Sequence, residues 1–94
     1  MKYKKRPFTI EAFQFESNAI IPAWFTERVN KNMIIEQNDG TYDVNTPEGA
    51  MKIHIGDYII LDPYGNVYPC NPKIFEIKYE KVVGRSERSG RISL

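Results

Sequence analysis

The alternation of apolar and polar positions predicts a chain of short strands interrupted once by a helix. Residues 7–15 read as a strand, with Phe8, Ile10 and Ala12 alternating against Thr9 and Glu11. The apolar side then switches to Phe13 and Phe15, which calls for a bulge near Ala12 or for burial on both faces. Ile21, Trp24, Phe25 and Val29 fall at helical spacing behind Pro22, so a helix is expected over about 21–31, stopped by Asn30-Lys31-Asn32. From Met33 the pattern turns to β. A strand over 33–37 leads through Asn38-Asp39-Gly40 into Thr41–Val44, a hairpin, because Asn and Gly accept positive φ.

Pro47-Glu48-Gly49 breaks the chain, and Met51, Ile53 and Ile55 then alternate with Lys52 and His54 as a half-buried strand. Gly56-Asp57 is a tight corner into Tyr58–Leu61, and Asp62-Pro63-Tyr64-Gly65-Asn66 is a turn into Val67-Tyr68. Asn71-Pro72 has the form of an N-cap with proline at the first helical position, so residues 73–75 are expected to make one short helical turn. Phe75, Ile77, Tyr79 and Val83 alternate with Glu76, Lys78 and Glu80, the pattern of a final strand. The expected fold class is α+β: a small curled antiparallel sheet or SH3-like barrel of five to six strands with one inserted helix. Pairing of the first and last strands would close it.

With 94 residues there is room for one domain, expected over 1–83, followed by a Ser/Gly/Arg-rich segment at 84–94 that reads as a flexible basic tail. No apolar run approaches the ~20 residues of a membrane span, and no apolar stretch follows the basic start as it would in a signal peptide. Cys70 is the sole cysteine, so an intrachain disulfide cannot form and a cytoplasmic location is the expectation. The net charge of +1 conceals an asymmetry. Residues 1–6 carry +4, residues 84–94 carry +2, and the body between them carries −5. Closure of the sheet would gather Lys4, Lys5, Arg6, Lys81 and Arg85 into one basic patch.

Candidate chemistry is sparse. His54 is the only histidine and sits at a polar strand position, with no cysteine or histidine cluster to make a metal site. Cys70, just ahead of the Asn71-Pro72 helix start, has either a depressed thiol pKa there or the inert role of a small apolar residue between prolines. Asp57 suits a turn-stabilising carboxylate better than an acid–base group without a partner. Glu76 and Glu80 flank Lys78 on what reads as a solvated strand face, not a paired-carboxylate site. Neither GxGxxG nor GxxxxGK[ST] is present, so a nucleotide cofactor has no support, and no cofactor is expected. Trp24 fits the helix core. Tyr58, Tyr64 and Tyr68 remain as candidate contact residues, since exposed aromatics anchor protein interfaces, and Tyr64 lies in a turn.

Several stretches together resemble a family of small proteins encoded by tailed bacteriophages and prophages and left without an assigned function. They are Arg6–Phe15, Pro22-Ala23-Trp24, Gly56-Asp57-Tyr58-Ile59-Ile60, Tyr68-Pro69-Cys70-Asn71-Pro72, Ile74-Phe75-Glu76 and Tyr79-Glu80. Two positions depart from the family pattern: Asn66 stands where a glutamate is common, and Asn71 where a lysine is common. The resemblance implies an accessory phage protein in the bacterial host cytoplasm and supplies no chemistry. The function expected is a non-enzymatic binding module for a host or phage protein. The alternative is nucleic-acid binding through Lys4, Lys5, Arg6 and Arg85, for which binding would weaken steeply with salt.

Overall fold

Local turn chemistry sets most of the element boundaries. The computed structural model describes residues 1–4 and 7–82. Its order is β1 (Glu11–Gln14), α1 (Ala23–Asn30), β2 (Ile34–Glu36), β3 (Tyr42–Thr46), β4 (Gly49–Ile53), β5 (Tyr58–Leu61), β6 (Val67–Cys70) and α2 (Pro72–Lys78).

Helix α1 begins one residue after Pro22, which occupies the N-cap itself. It ends in a Schellman motif: Asn32 adopts φ 61°, its N–H donates to the Val29 carbonyl, and the Met33 N–H donates to the Arg28 carbonyl. Asparagine is one of the few non-glycine residues that accepts this backbone conformation readily. The Asn30–Asn32 stop read from the sequence is therefore the observed one.

The strands form two antiparallel sheets, β1-β5-β6 and β2-β3-β4. In the first, Phe13 pairs with Ile59 and Ile59 with Pro69, while Ala12 pairs with Ile60 and Ile60 with Tyr68. The register of β1 against β5 runs without a bulge from Glu11 to Gln14. The apolar switch at Ala12 is neither a bulge nor burial on both faces: Phe13 and Phe15 turn to the core, and Ala12 stands exposed on the opposite side. In the second sheet Ile34 pairs with Val44 and Tyr42 with Ile53.

One core lies between the sheets and α1, made of Phe15, Phe25, Ile34, Val44, Ile53, Ile59 and Val67, with Phe13, Trp24, Val29, Tyr42 and Leu61 packed around it. Its aromatic residues meet edge to face, as in the pairs Phe13–Phe25 (5.4 Å) and Phe15–Tyr42 (5.3 Å). Trp24 belongs to this cluster, as its helical spacing indicated.

Three expectations are corrected. The sheets do not close into a barrel, and β1 pairs with β5 instead of with a final strand. The expected strand over 75–83 is helix α2 as far as Lys78, so there are two helices among the described residues. Its cause is local. The Asn71 side chain accepts from the Lys73 N–H at 2.9 Å, and Pro72 sits in the first turn, which starts a helix that the 75–79 alternation does not override. Finally, β4 stops at Ile53 and Ile55 stands exposed. The Asp57 carboxylate accepts from the His54 N–H at 2.9 Å, and Gly56 at φ 99° completes the corner, so the chain leaves the strand before Ile55.

Candidate interaction surface

Tyr64 is set by the most heavily bonded turn in the described chain. The Asp62 carboxylate accepts from the N–H groups of Tyr64 and Asn66, both at 2.9 Å, and from the Asn66 side-chain amide at 3.2 Å. Across the base of the turn the Asp62 N–H donates to the Asn66 carbonyl at 3.0 Å, and the Gly65 N–H donates to the Asp62 carbonyl. From outside, the Arg28 guanidinium on α1 donates to the Gly65 carbonyl at 3.0 Å and to the Trp24 carbonyl at 2.9 Å. Gly65 takes φ 88°, which few other residues would accept. The result is a bonded platform on which Tyr64 is 80% exposed, with its ring edge-on to Phe8 at 6.4 Å.

Tyr58 and Tyr68 lie elsewhere. Tyr58 is opposite Cys70 and Tyr68 opposite Ile60, so all four share the face of the β1-β5-β6 sheet that points away from the main core. That face carries its own apolar layer. Ile60 is fully buried yet stands outside the main core cluster. Helix α2 lies over it: Phe75 stacks on Tyr58 at 3.9 Å with rings 3° from parallel, and Tyr79 stacks on the other side of Phe75 at 4.9 Å. The Tyr79 side chain lies near the Tyr68 phenol. Burial first, and then the nearby Tyr79 and Asp62, push the Tyr68 phenol up to about 12. The three tyrosines are therefore not one patch. Tyr64 stands at the turn, and Tyr58 and Tyr68 are packed beneath α2. Phe75 and Tyr79 complete this second cluster, and their strand-like alternation concealed them.

Two hollows border α2. A groove of about 600 Å³ is lined by Phe8, Ile10 and Ala12 on one side and by Phe75, Tyr79 and Val82 on the other. A second hollow, about 440 Å³, is lined by Ile60, Tyr68 and Cys70 of the sheet, by Pro47 and Met51 near the β3–β4 turn, and by Lys78 and Tyr79.

The remaining candidates have structural roles. Burial raises the Cys70 thiol above its ordinary value, and the nearby Lys78 cation only partly opposes this, so the thiol is not activated. Asp57 caps its own corner and lies 3.7 Å from the exposed His54 ring. Glu76 and Lys78 are on helix α2 and Glu80 follows it, all three exposed, so the strand face expected to carry them does not exist. Lys4 is exposed, whereas Lys5, Arg6 and Arg85 lie outside the described residues, as does the basic tail 84–94. Among the described residues no group of three or more His, Cys, Asp or Glu could hold a metal ion, and no helix is long and apolar enough to cross a membrane. Compared with protein-family models, curated proteins and solved structures, the chain has no match.

Proposed function

We propose that this chain is a non-enzymatic binding module that engages a protein partner through Tyr64, and that it serves as a phage or prophage accessory protein in the bacterial cytoplasm. The observation that carries the reading is the display of Tyr64. A large aromatic ring stands almost fully in solvent on a turn whose backbone is bonded by the Asp62 and Arg28 side chains. Exposed, pre-organised aromatics are the side chains that dominate protein interfaces, because binding them orders little that was mobile before. Phe8 beside it widens the apolar contact. The phage assignment rests on the resemblance over about residues 5–83 described above, and the non-enzymatic one on a thiol raised instead of activated.

The test is retention of partners from bacterial lysate on the immobilised chain, with and without nuclease, using the wild-type protein and Tyr64→Ala. A protein retained after nuclease and weakened ~5–30-fold by Tyr64→Ala, the usual range for an interface anchor, is the expected result. Tyr64→Ala should leave thermal stability nearly unchanged. Equal retention by the two proteins would overturn the role of Tyr64. Retention abolished by nuclease would transfer the function to nucleic acid and to the basic residues around Lys4.

A further inference from the structure

Helix α2 is held more lightly than α1 or the second sheet. None of its residues is buried, whereas α1 buries Phe25 and each strand of the second sheet contributes a residue to the core or its edge. Ile77 is 84% exposed and Ile74 is about half exposed. Contact of α2 with the sheet runs through the Tyr58–Phe75 stack, with Tyr79 near Tyr68 at the helix end. Hollows lie on both flanks, and Lys78 and Tyr79 line both of them. Elements with few buried apolar contacts open well below the free energy of global unfolding. Beneath α2, by contrast, the sheet is firm. Ile60 belongs to the central strand β5, whose other face contributes Ile59 to the main core.

We propose that α2 with Tyr79–Val82 is a detachable strap, which lifts as a unit while both sheets stay folded and uncovers the Tyr58, Ile60, Tyr68 and Cys70 face. The opening breaks the Phe75–Tyr58 stack and draws Tyr79 away from Tyr68, and it leaves the β1-β5-β6 pairing of the first sheet in place. Asn71 is the natural hinge. It adopts φ −56° and ψ 138°, an extended conformation, between the end of β6 and the first turn of the helix. The lifted state presents an apolar strand face together with a thiol, neither of which the closed state offers fully to solvent.

Cys70 supplies the test. Its half-buried thiol is labelled in the intact chain with a disulfide reagent over a range of low urea concentrations. In parallel, hydrogen exchange is followed at the Phe75 and Tyr79 amides, which donate within α2 and at its end, and at Ile53 and Ile59 in the core. The strap predicts that Cys70 reacts at least about ten-fold more slowly than an unstructured thiol, with little dependence on urea, because local opening exposes little surface. It also predicts that Phe75→Ala, which removes the stacked ring, speeds labelling roughly ten-fold and leaves exchange at Ile53 and Ile59 unchanged. Labelling at the rate of a free thiol would overturn the proposal, since nothing would then cover Cys70. So would labelling with the urea dependence of the Ile53 and Ile59 amides, which would make α2 part of the global unit.

Discussion

Asp62→Ala is the most direct probe of the platform that carries Tyr64. The carboxylate accepts two main-chain N–H groups at 2.9 Å and one side-chain amide at 3.2 Å. A net hydrogen bond in a folded protein contributes about 1 kcal/mol, more to a charged acceptor and less where water competes. The Asn66 N–H bond is partly buried and the Tyr64 bond is exposed. Allowing about 1 kcal/mol for each main-chain bond and little for the longer side-chain amide bond, the loss should be about 2 kcal/mol. For a domain of this size that lowers Tm by roughly 8–15 °C. Asp62→Asn keeps an acceptor oxygen for both N–H groups and should recover most of the loss. The assay is thermal and urea unfolding of the three proteins, followed by circular dichroism. A cost below about 0.5 kcal/mol for Asp62→Ala would refute the reasoning, because the turn would then be held by Pro63, Gly65 and the Arg28 grip alone. Equal losses for the alanine and asparagine variants would show that the acceptor oxygen is not the source.

Two further substitutions test the frame around this turn. Ile53→Ala removes a fully buried side chain from the centre of the core and should cost about 3–4 kcal/mol in urea unfolding, which leaves a domain of this size barely folded. Gly56→Ala meets no atom within 4 Å, so any loss must come from placing a Cβ at φ 99°; about 1–2 kcal/mol is expected, and a neutral result would mean that the corner relaxes.

What was legible in the sequence is what local chemistry decides. Asn38-Asp39-Gly40, Gly56-Asp57 and Asp62–Asn66 each carry a residue whose side chain or missing Cβ selects one turn, and all three turns are formed. The exposure of Tyr64 followed from its place in one of them. Pairing of distant segments was not legible, because β1 has the same alternation whether it joins β5 or a closing strand. The failure at 75–79 is more instructive. Phe75 and Tyr79 are four apart, so they share a face in a helix as well as in a strand, and only Ile77 distinguishes the two. Its 84% exposure shows the helical outcome, in which it points away from the pair. The N-cap at Asn71 was the deciding signal, and its reach extended past the single turn expected of it. Tyr58 and Tyr68 could be placed on one face by strand parity, but not the helix that covers them.

That covered face gives the protein a pH dependence that can be assigned to one group. Tyr68 has its phenol raised from 10.0 to about 12, mainly by burial. A tyrosine with a raised folded pKa favours the folded state fully below pH 10, and the contribution disappears as pH climbs through 12. At about 1.4 kcal/mol per pKa unit the total is about 2–3 kcal/mol, of which roughly half is gone by pH 11. The stability difference between wild type and Tyr68→Phe should accordingly shrink by about 1.4 kcal/mol between pH 8 and pH 11. The comparison cancels the contribution of Tyr42, whose phenol is also raised by burial and by Glu36. Absorbance near 295 nm checks the same point, since the wild type should contain one tyrosinate with a midpoint near pH 12 that Tyr68→Phe lacks. Parallel stability curves, or a missing tyrosinate that titrates near 10, would place the Tyr68 hydroxyl in water and remove the covering role of α2. A strap that lifts also predicts that Phe75→Ala draws this midpoint down toward 10, because a phenol exposed part of the time loses part of the burial that raised it.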